Sequence, residues 1–297
     1  MTCCVAIGEA MVEMAPIGAE GTYALGFAGD TFNTAWYLAR QRPGWEVRYL
    51  SATGEDAISD RFLRFAGGAG IATTHVRRVA GRTLGLYLIQ VEQGERSFSY
   101  WRDTSAARLL AEDPEHLRAA LDGAEVALFS GITLAILAEP ARDRLLATLA
   151  EARRRGTLVV FDPNLRPGLW RDGATMREGI MAGAAVADIV VPSLDEEMLH
   201  FGERTARETM ARYEAAGVAR VVLKNGPGPV HFRDCGESGV VELGEPVEPV
   251  DTTAAGDSFN AAFVARVLEG ASLRDAIAAG AALARQVVQG RGALVPV

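Results

Sequence analysis

The sequence predicts an α/β protein with a mostly parallel sheet covered by helices on both faces. Three observations lead there. Strand-like and helix-like hydrophobic patterns alternate over most of the 297 residues. Hydrophobic residues make up 49% of the chain, enough to fill one large core. The alternation is broken once, at residues 84–102, where two strand-like runs flank a short turn at Gln93-Gly94 and read as a small β lid.

The first strand is read over residues 5–14, VAIGEAMVEM, an apolar run. Phe32, Ala35, Trp36 and Ala39 then share one face of a helix over 31–41. A strand at 47–53 and a helix at 56–66 follow, the helix ended by Gly67, Gly68 and Gly70. In the second lid run Phe98, Tyr100 and Arg102 fall on one face, because side chains alternate along a strand. The rhythm resumes with strands at 125–130, 158–162, 188–191 and 219–224, and helices at 140–155, 174–187, from 195, and 205–216. A weaker β region covers 229–244, and helices at 255–269 and 272–289 close the chain. No repeat or linker divides it, so residues 1–297 read as one domain, with lid segments near 10–25 and 84–102.

The formal net charge of -8 argues against a nucleic-acid partner, which needs a basic footprint. The three cysteines, Cys3, Cys4 and Cys235, form neither a disulfide framework nor a metal motif. His75, His116, His200 and His231 show no ligand spacing. No apolar run reaches the length of a membrane span, and the first residues lack the pattern of a signal peptide, so a cytoplasmic protein is expected.

In an open α/β sheet, ligands bind beyond the carboxyl ends of the strands, so chemistry is sought in the loops there. Asp251-Thr252-Thr253-Ala254-Ala255-Gly256-Asp257-Ser258-Phe259 runs from small residues straight into an amphipathic helix. Small side chains let a ligand approach the backbone, and the free N–H groups of a helix start attract phosphate. Two readings of Asp257 stay open at this point: a carboxylate beside a bound phosphate, or an ordinary first-turn capping residue. Lys224-Asn225-Gly226-Pro227-Gly228 follows a strand and reads equally as a nucleotide-lining loop or a hairpin turn. Neither of the common phosphate-loop motifs, G-x-x-x-x-G-K-[ST] and G-x-G-x-x-G, occurs.

The segment DTTAAGDSFNAAF resembles the C-terminal signature of the ribokinase-like (PfkB-type) carbohydrate kinases, with Ala254 where a glycine is usual. Gly26-Phe27-Ala28-Gly29-Asp30-Thr31-Phe32-Asn33 is similar to the family's N-terminal Gly-Gly-x-x-x-Asn segment, with Ala28 in place of the first glycine. Gly85-Leu86-Tyr87, the run from Gly94 to Asp103, and Phe161-Asp162-Pro163-Asn164-Leu165-Arg166-Pro167 extend the likeness to the branch that phosphorylates 2-keto-3-deoxygluconate. The resemblance implies a ribokinase-like three-layer α/β/α fold with a small β lid, and transfer of the γ-phosphoryl group of ATP to a sugar acid.

It also implies roles for particular residues. Asp257 matches the catalytic base, and Ala255, Gly256 and the Asp257 backbone match an anion hole. Gly29, Asp30 and Asn33 match the sugar floor; Tyr87 and Tyr100 match lid contacts. Arg102 and Arg166 match the residues facing the substrate carboxylate, a role that suits the planar guanidinium. Asn164, Ser193, Lys224, Gly226, Gly228, Thr252 and Ala254 match nucleotide-binding positions. Glu196 matches the carboxylate that acts on Mg²⁺ through water, although Ser193 stands where the family has asparagine. Adenine is expected near Ala282 and Gln286, and Glu13 lies near an early acidic sugar-binding position. A homodimer or larger closed assembly through the lid is expected. Two alternatives remain: a kinase of a neutral sugar such as fructose or ribose, or a non-catalytic sugar-binding relative.

Overall fold

The computed structural model describes residues 1–18, 21–92 and 95–297, so the Gln93-Gly94 turn lies outside the described residues. The chain opens with β1 (Cys3–Ile7), buried along its whole length. Residues 8–10 carry it out of that sheet into β2 (Met11–Pro16), which pairs antiparallel with β3 (Tyr23–Ala28). Helix α1 (Asp30–Gln41), β4 (Glu46–Thr53) and α2 (Ala57–Gly68) follow, with β5 (Ile71–Ala72) and β6 (Val76–Arg78) added beside β4. The hairpin β7 (Gly85–Glu92) and β8 (Glu95–Trp101) joins β2, giving a four-stranded sheet in the order β3-β2-β7-β8.

The second half begins with α3 (Pro114–Leu121), β9 (Val126–Ser130), α4 (Gly131–Ile136) and α5 (Glu139–Arg154). It continues through β10 (Leu158–Asp162), α6 (Gly173–Ala185), β11 (Ile189–Val190), α7 (Leu194–Phe201), α8 (Ala206–Ala215) and β12 (Arg220–Leu223). The antiparallel pair β13 (Val230–Asp234) and β14 (Glu237–Val241) precedes α9 (Ala255–Leu268) and α10 (Leu273–Val287). The main sheet runs β14-β13-β12-β11-β10-β9-β1-β4-β5, with β6 also on β4; β5 to β12 along this path are parallel.

Alternation along β1 shows how the layers form. Cys3, Val5 and Ile7 enter one core with α3, α4, α5, α6 and α8; Cys4 and Ala6 enter the other with α1, α2, α9 and α10. A sheet buried on both faces needs apolar residues at consecutive positions, which explains runs such as Val126–Phe129. Helix α1 is buried from Thr31 to Ala39, not along a single stripe, because α9 packs on it as well as the sheet.

The boundaries correct the sequence reading in three places. Residues 5–14 form the end of one strand and most of another in different sheets, separated where Glu9 turns inward. Gly67 and Gly68 are the last two residues of α2, which is capped at Ala69. Strand β3 and the short helices α3 and α4 carry too few residues for a clear period and were not expected.

Helix starts fall into capped and uncapped groups. Side chains of Asp56, Asp113, Ser130, Asp172, Thr205 and Ser272 accept first-turn N–H bonds at α2, α3, α4, α6, α8 and α10. Helix α5 begins at Ala138 with no side-chain cap, and so do three others, α1, α7 and α9, at Gly29, Ser193 and Ala254. The latter three starts belong to segments carrying residues matched to the sugar, metal and phosphate positions. An uncapped start leaves N–H groups for another acceptor.

Candidate active site

Asp257 sits in the first turn of α9 yet does not cap it: its Oδ2 accepts a 2.8 Å hydrogen bond from Asn33 Nδ2 of α1. Thr34 Oγ1 donates to the Asp257 backbone oxygen at 3.1 Å, a second tie between the two helix starts. The capping alternative for Asp257 is therefore set aside. Ala254 takes the left-handed conformation, φ 60°, that turns the loop into the helix. An alanine there costs ~1–2 kcal/mol, because its Cβ crowds the carbonyl. Ala254→Gly is expected to gain about 1 kcal/mol and raise Tm by roughly 2–4 °C, after the entropy of the added glycine is counted. A fall in Tm, followed by calorimetry, would count against this account.

Asp251 holds the same loop, accepting the Thr253 N–H at 3.0 Å and the Gly292 N–H at 2.7 Å. Opposite it, at the end of β10, Asp162 Oδ2 accepts from Lys224 Nζ at 2.9 Å and from Asn260 Nδ2 at 2.6 Å. A Cβ built on Gly256 would lie 3.4 Å from that Lys224 Nζ, which puts the ammonium beside the α9 start. An uncapped helix start with a lysine beside it suits the negative charge of a phosphoryl group. Asp162 and Asn260 were not singled out from sequence; an acid closing an apolar strand was the available signal for Asp162.

The electrostatics of Asp257 differ from those of an exposed aspartate. Burial pushes its carboxyl up to about 8, reinforced by the charge of Asp30 and opposed by the Asn33 hydrogen bond; Asp162 raises it further and Lys224 lowers it. Such a carboxylate holds a proton more tightly than an exposed aspartate and is matched to work near neutral pH.

Asp30 is bridged to the β10 end: Asn164 Nδ2 donates to its Oδ2 at 2.9 Å, and its Oδ1 accepts the Thr31 N–H at 2.8 Å. Asn164 takes a positive φ of 36°, tolerated by asparagine, so that its N–H reaches Asp162 Oδ1. Gly131 makes room for this turn, since a Cβ there would lie 1.9 Å from the Pro163 carbonyl oxygen. Gly29 is close-packed in the same way, against the Glu9 carbonyl oxygen. Ala28, which stands in place of the family's first glycine, is accommodated in a buried position at the end of β3.

The four-stranded sheet carries Tyr87 and Tyr100 on opposed strands, with ring centroids 6.0 Å apart. Tyr87 donates its hydroxyl to Glu13 Oε2; burial and the Glu13 charge push that hydroxyl above the usual tyrosine range. Both candidate arginines are already paired. Arg102 bonds Glu9, and Arg166 Nη1 bonds Glu196 Oε1 at 2.8 Å while Glu196 Oε2 accepts the Leu165 N–H. Glu9 was missed from sequence, where it reads as one acid in an apolar run.

A cavity of about 580 Å³ opens beside the α9 start, lined by Ser193, Glu196, Lys224, Gly226, Thr252 and Gly256 among others. It contains Ala255 but neither Ala254 nor Gly228 in its wall; the Gly228 N–H instead closes a turn on the Asn225 oxygen at 2.8 Å. Ala281 and Ala284 of α10 form its far side, while Ala282 and Gln286 line a neighbouring cavity of about 380 Å³. Among the described residues no group of three or more acidic, histidine or cysteine side chains forms a metal cage. A largely hydrated Mg²⁺ needs none, and Glu196 in the cavity wall fits a contact through water.

The family model described as pfkB family carbohydrate kinase matches residues 1–297. The chain belongs to the pfkB carbohydrate kinase family. Among its curated pfkB relatives, a 2-dehydro-3-deoxygluconokinase of Dickeya dadantii is 38% identical over 98% of this chain and 96% of its own length. The Escherichia coli K12 enzyme of the same name is 37% identical over the same shares. A solved PfkB protein from Polaromonas sp. JS666 superposes with a TM-score of 0.84 at 28% identity, covering 97% of this chain and 96% of that one. The ribokinase-like fold and its second small sheet are thus those of the pfkB kinases. No helix among the described residues is long and apolar enough to cross a membrane.

Proposed function

We propose that this pfkB kinase phosphorylates 2-keto-3-deoxygluconate with ATP, giving the 6-phospho acid and ADP. The carrying observation is the Asp257 carboxylate, held by Asn33 beside an uncapped helix start and raised to about 8. The sugar hydroxyl oxygen attacks the γ-phosphorus, its proton passes to Asp257, and the bond to the bridging oxygen of ADP breaks. Ala255, Gly256 and the Asp257 backbone offer N–H groups to the transferring oxygens, and Lys224 adds a positive charge beside them. Mg²⁺, when bound, neutralises phosphate charge. Glu196 would hold it through water, with Ser193, Gly226 and Thr252 along the nucleotide cavity. Gly29, Asp30 and Asn33 form the sugar floor, Tyr87 and Tyr100 cover it, and Arg102 and Arg166 read the carboxylate. The two named relatives support this substrate.

One observation favours a second reading, a neutral sugar as acceptor: both arginines already face glutamates in the unliganded chain. ADP release in the presence of Mg²⁺ from 2-keto-3-deoxygluconate, gluconate, fructose and ribose separates the two. Saturable turnover of the keto-deoxy acid alone is expected. Arg102→Ala is expected to raise KM for that acid by roughly 10- to 10²-fold, the loss of a charge-assisted contact of ~1.5–3 kcal/mol, with KM for ATP unchanged. Turnover of fructose or ribose instead would overturn the substrate assignment. We place the reaction in the cytoplasm, where ATP is abundant. We further place a second copy against the lid, where Trp101 is 59% and Val91 50% exposed; a monomer in sedimentation at micromolar concentration would remove that element.

A further inference from the structure

Glu9 lies where the chain passes from the main sheet to the lid, only 2% exposed. Its Oε2 accepts from both Nε and Nη2 of Arg102, whose side chain is itself 10% exposed. Its Oε1 is buried without a hydrogen-bond partner among the described residues. A carboxylate removed from water costs several kcal/mol, and a half-satisfied one recovers only part of that. The local packing is built around the pair: a Cβ on Gly85 would lie 2.8 Å from Glu9 Oε1 and 3.2 Å from the Arg102 Cβ. With one edge of the guanidinium held, Nη1 is the nitrogen left without a protein partner among the described residues.

We infer that Glu9 is the positioning residue that fixes the Arg102 guanidinium for the carboxylate of the sugar acid. This rests on the role given to Arg102 above. A free arginine on a lid strand samples many rotamers and attracts anions without regard to shape. Pinned along one edge by a buried carboxylate, and with its charge largely balanced, it acts as an oriented donor, and the pair discriminates by geometry more than by charge. A purely structural role, clamping the lid base to the main sheet, would give a different signature.

The test is a double-mutant cycle on the full chain, reading KM for 2-keto-3-deoxygluconate, KM for ATP, kcat and Tm. Glu9→Ala is expected to raise the sugar KM by about 10–100-fold through misplacement of Arg102, leaving kcat and the ATP KM unchanged. Glu9→Gln, which keeps an acceptor oxygen, should fall between wild type and Glu9→Ala, and it carries the test if the alanine variant does not fold. Adding Glu9→Ala to Arg102→Ala should change the sugar KM no further. An unaltered sugar KM in Glu9→Ala, additive losses in the double variant, or an equal rise in both KM values with a lowered Tm would each overturn the inference. A raised sugar KM in Arg102→Ala but not in either Glu9 variant overturns this inference alone. An unchanged sugar KM in Arg102→Ala overturns the reading of Arg102 together with it.

Discussion

Asp257→Asn is expected to lower kcat by about 10²–10⁴-fold, the usual contribution of a positioned general base. Binding of both substrates should persist, since asparagine keeps the shape and the place opposite Asn33. The pH profile tests the same group independently. Only the ionised carboxylate accepts a proton, so kcat/KM of the wild type should climb with pH through a limb near 8. Asn33→Ala removes an N–H that stabilises the ionised form and should move that limb to higher pH. Stability carries the opposite sign. Because the folded pKa is raised, the folded chain keeps a proton between the ordinary aspartate value and about 8 that the unfolded chain has lost, so this group weakens folding progressively across that window. Asp257→Asn should therefore be the more stable protein, with a Tm advantage that grows from pH 5 to pH 8. A base elsewhere would leave the limb in place in Asp257→Asn, and a flat Tm difference would remove the electrostatic account.

Gly29→Ala is expected to damage both stability and activity. The Cβ would stand 2.1 Å from the Glu9 carbonyl oxygen, a backbone atom that cannot rotate away. Relief requires the residue 8–10 crossing to separate from the start of α1, and those two segments carry Glu9, Asp30 and Asn33. Overpacking of this kind costs ~1–3 kcal/mol, roughly 2–12 °C in Tm, and a floor displaced by an ångström loses about 10²-fold in kcat/KM. Thermal unfolding and kinetics on the same preparation check both parts. By contrast, Gly44, Gly67 and Gly168 have no neighbour in the way of a Cβ, and alanine at any of them should leave kcat/KM as it is. Wild-type kinetics in Gly29→Ala would show that the close approach is not rigid.

The contrast between legible and illegible parts of the site follows from the range of the contacts. Asp257 could be singled out as a candidate because the small residues before it and the helix after it form a local pattern, which the resemblance then gave a role. The alternation along β1, β9 and β10 likewise needs only neighbouring residues, so the layers were readable. What the sequence does not display is pairing across distance. Asn33 meets Asp257 from 224 positions away, and Arg102 meets Glu9 from 93. For that reason the sequence names no protein partner for Arg102 or Arg166, while each faces a glutamate in the fold. The break at residues 8–10 was invisible for a related cause: Glu9 turns inward to a partner not yet known, within a run whose apolar neighbours suggested one continuous strand. Lys224 was read as lining a nucleotide, but its anchoring by Asp162 and Asn260 depends on three segments meeting.

The 224-residue span between Asn33 and Asp257 also sets a timetable for biosynthesis. A ribosome adding ~5–20 residues per second needs roughly 10 to 45 s to cover it. Through that interval β1 lacks its neighbour β9 until Val126–Ser130 emerges, and α1 lacks α9, although its surface from Thr31 to Ala39 is destined for burial. The closing stitches come later still: Tyr37 takes the Val295 N–H and donates to the Ala293 carbonyl, while Gly292 docks on Asp251. A nascent chain of this design cannot join Asn33 to Asp257 until α9 has left the ribosome. Until then the part of α1 that α9 will cover stays open to solvent.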